Sequence, residues 1–224
     1  MMMNLGDGPT QVFTTASIVG SVAFALSGFM MGARKRLDLM GAFILAFLTA
    51  NGGGVIRDLI VDRPPAIMAG LLPFYLTAGT VTLALALRLQ RRATLERAWI
   101  FVLSDAIGLV AFGITGAIIA IEHDLHVFGV VILSFLTATG GGIVRDILVN
   151  EVPLVLHGDF YGSVAILLGI AIDALHRADL MNPASLLAVF AAGLLLRLIA
   201  YRRRWSLPRL NPITQDSPPA PPPH

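Results

Sequence analysis

Seven stretches of the chain are apolar over the length a bilayer demands, and the polar residues gather between them. A helix that crosses the hydrocarbon core needs about 20 mostly apolar residues. The runs fall at 12–32, 39–61, 68–89, 98–121, 127–149, 159–176 and 182–200. Their apolar residues are continuous rather than alternating, so they predict helices and not the strands of a barrel. The sixth run is short, and the second and fifth carry charges inside them. The first leads straight into Arg34-Lys35-Arg36 and reads as a span rather than a cleaved leader. One transmembrane domain is expected over 1–200, followed by a disordered proline-rich tail over 206–224.

Composition narrows the class. Of 224 residues, 56% are hydrophobic and 13% charged, against about 25% charged in ordinary soluble domains. The mean hydropathy is +0.78. A soluble enzyme, a disordered chain and a nucleic-acid-binding domain are excluded. Cysteine is absent, which removes disulfides, thiolate metal sites and a thiol nucleophile. No phosphate-binding loop, nucleotide fingerprint or nucleophile arrangement is present, and the histidines have no metal-ligand spacing, so no enzyme and no cofactor is expected.

The basic residues give an orientation. Arg34-Lys35-Arg36, then Arg88, Arg91, Arg92 and Arg97, then Arg202, Arg203, Arg204 and Arg209 follow the first, third and seventh runs. With seven spans all three clusters fall on one side, which the positive-inside rule makes cytoplasmic. The expectation is an N-terminus outside and a C-terminus inside.

The second and fifth runs are copies of each other. Sliding the chain by 88 positions aligns 22–65 with 110–153 without a gap, and 19 of the 44 positions are identical. LTANGGGVIRDLIV at 48–61 meets LTATGGGIVRDILV at 136–149. Repeat one is read as 12–92, repeat two as 98–178, and the seventh helix as 182–200. Each repeat has three spans, an odd number, so the second should enter the membrane from the opposite side. Inverted repeats place a permeation or substrate site near the midplane, where they meet.

The candidate site residues cluster around the copied segment. Gly52, Gly53 and Gly54, with Gly140, Gly141 and Gly142, lie inside spans two and five. Glycine costs about 1 kcal/mol per residue in a helix interior. The triplets therefore predict helices broken at those points, although small residues also let helices pack closely. Arg57-Asp58 and Arg145-Asp146 follow each triplet. Charges at membrane depth face a cavity or a partner. Neighbouring residues on a helix point apart, so pairing across the repeats, Arg57 with Asp146 and Arg145 with Asp58, is one symmetric possibility, and the charges serve either to lock the repeats or to gate a pathway. Asp105 stands alone in span four, opposite Ser17 in the alignment. It either faces a pore or partners an arginine. Ser17, Ser21, Thr49, Asn51, Thr137 and Thr139 complete a candidate polar path, with Thr14, Ser104 and Ser134 nearby.

Two three-span repeats, each with TAxGGGxxRD in its second helix, and a seventh helix resemble the prokaryotic trimeric intracellular cation (TRIC) channels, a group also described as glycine transporter domains. The resemblance covers 12–200. It implies a homotrimer in the lipids of a bacterial inner membrane with one pore per protomer, permeable to K⁺ and Na⁺, flanked by helices two and five. The alternative is a secondary transporter of a small zwitterion such as glycine, with Arg57 or Arg145 on its carboxylate.

Overall fold

The computed structural model describes residues 7–92, 94–157 and 160–205. Every regular element among the described residues is helical. The long helices are α1 (Asp7–Arg34), α2 (Leu39–Ile60), α3 (Leu72–Ala86), α4 (Thr94–Glu122), α5 (Val127–Leu148), α6 (Tyr161–Arg177) and α7 (Pro183–Arg202). The tail expected to be disordered, 206–224, lies outside the described residues.

Local chemistry sets the ends. Asp38 caps α2, its carboxylate accepting the Gly41 N–H at 2.7 Å. Asn182 and Ser185 form a reciprocal capping box at the start of α7. The turns after α1 and α4 end on left-handed residues, Arg36 and Asp124, and those after α2 and α5 on Asp62 and Asn150. Both pairs are 88 positions apart, so each repeat turns its corners in the same way.

Among the described residues five helices are long and apolar enough to cross a membrane: α1, α2, α4, α5 and α7. The third and sixth expected spans come out shorter, at 15 and 17 residues. Each is preceded by a separate helical turn, Ala66–Ala69 before α3 and Leu154–His157 before α6. The first turn ends at Gly70, and α3 starts afresh with Pro73 in its opening turn, where a proline is tolerated. The outer faces are greasy: Ile44, Leu48, Phe74, Leu83, Phe128, Leu187 and Leu195 are all exposed. Exposed apolar surface on that scale fits a lipid surround.

The helices expected to break do not. α2 is helical through Gly52–Gly54 and α5 through Gly140–Gly142. The glycines are spent on a close crossing instead. A Cβ on Gly53 would fall on the Thr137 carbonyl oxygen, and one on Gly141 would fall on that of Thr49. The helix-propensity penalty of the triplet is offset by backbone contact that no larger residue allows.

The crossing is reciprocal. Gly53 matches Gly141 and Thr49 matches Thr137 at the offset of 88, so each helix gives the other what it receives. Gly28 sits against Thr49 and Gly116 against Thr137 in the same fashion. Phe24 meets its own counterpart Phe112, ring centroids 5.4 Å apart. Contacts between α1 and α4 and between α2 and α5 thus join the copies, while α7 packs mainly on α4 and α6. That addition makes α4 the centre of the bundle: 83% of its apolar window is buried, against 44% for its counterpart α1.

Candidate functional site

The two intramembrane arginines are built alike, from the helix end outward. Each stands in the last turn of its helix. Arg57 Nε donates to Asp58 Oδ1 at 2.9 Å, and Arg145 Nε donates to Asp146 Oδ1 at 2.8 Å. The second carboxylate oxygens accept the Ala66 N–H at 3.2 Å and the Leu154 N–H at 3.0 Å. Each aspartate thereby caps the short helical turn that follows, and it holds its own arginine at the same time.

Each arginine thus pairs with its own neighbour, and the symmetric cross-repeat pairing, one possibility from the sequence, is not the arrangement found. The rule that adjacent helical residues point apart concerns the directions in which side chains leave the backbone. A guanidinium rides on three methylenes and folds back over the helix end to reach its neighbour. What crosses between the repeats is the other arm. Arg57 Nη1 lies 3.4 Å from Thr115 Oγ1, and Arg145 Nη1 lies 2.9 Å from Ser27 Oγ. Ser27 and Thr115 are themselves counterparts at the offset of 88. The arrangement extends to the aromatic contacts: Arg57 lies over the Phe13 ring at 5.6 Å and Arg145 over Phe101 at 4.7 Å.

The copies part company at one position. Asp105 is buried and its carboxylate takes Arg145 Nη1 at 2.5 Å. Of the two readings open for Asp105, the contacts are those of an arginine partner. Arg145 thus holds two carboxylates and has no exposed surface. The counterpart of Asp105 is Ser17, whose Oγ is buried without a hydrogen-bond partner among the described residues. Among the carboxylates of the described residues Arg57 has Asp58 alone at hydrogen-bond distance, with Arg63 also near that carboxylate at 3.7 Å.

A cavity of about 160 Å³ opens on the copy-one side, and it gathers a subset of the expected path. Ser17, Ser21, Asn51, Gly54 and Arg57 line it, together with Arg63. Thr49, Thr137 and Thr139 are elsewhere occupied. They are fully buried and bond the carbonyls four residues back, at 2.6, 2.6 and 2.8 Å. Asn51 also bonds its own helix, through Phe47 O at 2.8 Å. Ser134 ties α5 to α4 and α6, donating to Gly113 O and Ala165 O.

Several residues of this centre were not read from the sequence. Ser27, Thr115, Phe13 and Phe101 all touch the arginines. Carrying the repeat alignment nine residues further back would have paired Phe13 with Phe101. Tyr161 and Arg197 are the other omission. Arg197, buried in α7, lies over the Tyr161 ring at 4.8 Å, and Tyr161 OH comes close to Gly142. Arg197 has no copy to flag it, but as a charge inside the apolar run 182–200 it gives the same signal as Arg57 and Arg145.

Comparison with known proteins places these features. A family model described as "Glycine transporter" matches twice, over residues 14–91 and 102–177. A UPF0126 membrane protein of Vibrio cholerae is 33% identical over 89% of this chain and 83% of its own. The UPF0126 membrane protein YvgT of Bacillus subtilis is 33% identical over 86% and 93%. Among solved structures, a prokaryotic TRIC channel in 0.5 M KCl superposes with a TM-score of 0.81 at 30% identity, covering 87% of this chain and 98% of that one. The TRIC trimeric intracellular cation channel orthologue from Rhodobacter sphaeroides superposes with a TM-score of 0.80 at 28% identity, covering 87% and 99%.

Proposed function

The chain belongs to the UPF0126 membrane proteins, the family of the duplicated glycine-transporter domain, and has the fold of the TRIC channels; from this premise we propose that it is a passive channel for monovalent cations, K⁺ and Na⁺. The observation that carries the reading is the cavity beside Arg57, set against the glycine crossing on a fold shared with cation channels. Hydroxyl and amide groups from Ser17, Ser21 and Asn51 supply polar oxygens along that wall. The arginines and their aspartates sit at the two sides of the crossing and gate passage, since a bare guanidinium on a narrow path repels K⁺.

The architecture that goes with this function is seven membrane segments in two inverted three-helix repeats plus α7, with α3 and α6 crossing in concert with their preceding turns. Reciprocal contacts are what a two-fold axis in the membrane plane produces, and the Gly53/Gly141 and Phe24/Phe112 pairings support it. The working unit is a homotrimer in the inner membrane, each protomer with its own pore and its N-terminus outside. The trimer is proposed from the Rhodobacter sphaeroides relative, which is described as trimeric. No catalytic chemistry and no bound cofactor enter the proposal.

A second reading, secondary transport of a small zwitterion such as glycine, is favoured by one observation: an arginine stands on the cavity wall. Purified protein in planar bilayers separates the two. Unitary current steps carried by K⁺ are expected. Saturable glycine counterflow in liposomes, with no such steps, would overturn the channel.

A further inference from the structure

The two repeats carry the same arginine centre, and the second copy shows what the first lacks. In copy two, Arg145 Nη1 is held by the Asp105 carboxylate at 2.5 Å and by Ser27 Oγ at 2.9 Å. In copy one, Arg57 Nη1 has Thr115 Oγ1 at 3.4 Å. The position of Asp105 is taken by Ser17, a shorter side chain with a buried hydroxyl that has no partner among the described residues. The space beside it is the cavity of about 160 Å³, roughly ten times what one water needs by the same measure. Ser17, Ser21, Asn51, Arg57 and Arg63 all line it.

We propose that this cavity is a binding site for a small monocarboxylate from solution, which docks on Arg57 Nη1 and Ser17 Oγ where Asp105 docks on Arg145. The argument is one of chemistry and shape. A guanidinium prefers a planar carboxylate to a spherical anion, because its donors lie in a fixed fork. One arm of Arg57 is already used on Asp58, through Nε and Nη2. The remaining arm meets Thr115 as its counterpart meets Ser27, and in copy two that same arm also takes a carboxylate. Ser17 supplies a hydroxyl donor, and Arg63 adds positive potential to the same wall. In water such a pairing is weak. Behind the buried Arg57 it is screened less, and the cost of holding a desolvated cation at membrane depth is shared with the ligand. Occupancy also neutralises the wall that a permeating cation must pass, so the ligand acts as an admitting co-ion for the channel. That last step rests on the channel reading, whereas binding does not.

The test is thermal unfolding of the purified full-length protein in detergent, with sodium acetate against sodium chloride at matched ionic strength and glycine as a second probe. Acetate is expected to raise the midpoint saturably, and chloride is not. Arg57→Gln should weaken acetate by about thirtyfold or more, the usual loss when one partner of a buried charged pair is removed. Ser17→Asp, which builds the carboxylate into the chain as in copy two, should abolish the acetate dependence. Where that variant does not fold, Ser17→Ala serves: losing one hydroxyl donor should weaken acetate by about fivefold. Acetate acting no differently from chloride on the wild type overturns the site, as does unchanged acetate binding in Ser17→Ala. A stronger effect of glycine than of acetate would support the site with a zwitterion as its ligand. Binding without currents in bilayers would remove the channel and keep the site; currents without binding would do the reverse.

Discussion

At the scale of single residues, the arginine centres differ in how completely their charges are answered. Arg145 sits fully buried between Asp105 and Asp146. Removing one partner of a buried ion pair leaves the other uncompensated, at a cost of about 3–5 kcal/mol. Asp105→Asn is therefore expected to lower unfolding stability in detergent by about 3 kcal/mol at the lower edge of that range, because the amide oxygen still accepts a hydrogen bond. Ser17→Ala at the matching position should change it by less than about 0.5 kcal/mol, since the Ser17 hydroxyl bonds nothing among the described residues. Equal losses in chemical denaturation would mean that the copies are energetically alike. The pairing within Arg57-Asp58 and Arg145-Asp146 was not legible in the sequence. Helical periodicity reports where a side chain starts, and a long side chain at a helix end is free to finish elsewhere.

At the scale of elements, the glycines divide by what surrounds them. Gly53 and Gly141 press on backbone carbonyl oxygens of the facing helix, whereas a Cβ on Gly79 meets nothing within 4 Å. Gly53→Ala and Gly141→Ala should force α2 and α5 apart and destabilise the fold by about 1–3 kcal/mol or more, as overpacking does. Gly79→Ala, in the middle of α3, should stabilise by up to about 1 kcal/mol through helix propensity. Melting curves of the three variants check this; a stabilised Gly53→Ala would sink the tight crossing. Most helices were legible because uninterrupted apolar runs have few other solutions in lipid. Their termini followed caps such as Asp38. The unbroken passage through the triplets was not legible, because propensity is a local quantity and the compensating contact comes from a helix 88 positions away. The shortened α3 was half visible in Gly70 and Pro73, which interrupt an otherwise apolar run.

At the scale of the whole molecule, the loops distinguish the two faces. Lys35, after α1, bonds Glu151, after α5, at 2.6 Å, so these two loops share a face. Their counterparts at the offset of 88 are His123 and Arg63, which have no such complementarity of charge. Cysteines introduced singly at positions 92 and 123, in a chain that has none of its own, are expected to label from opposite sides of the membrane. Labelling from the same side would remove the inverted repeat. The seventh helix breaks the balance further. Arg197 over Tyr161 brings a cation to copy two's side only, and the arrangement of α7 on α4 and α6 leaves α1 the more open of the two matched helices.

The crossing of α2 over α5 has the geometry of a hinge pin. Gly53 lies against Thr137 and Gly141 against Thr49, so the helices run antiparallel and touch through their backbones at mid-length. Two stiff rods pinned at the middle spread at both ends together when their angle widens. Spin labels at 39 and 148, near the Lys35–Glu151 pair, and at 60 and 127, at the opposite ends of the same helices, should therefore lengthen in step. A scissor of this kind suits a conduit whose two mouths answer to one motion. It is unsuited to a carrier, which must close one mouth as it opens the other.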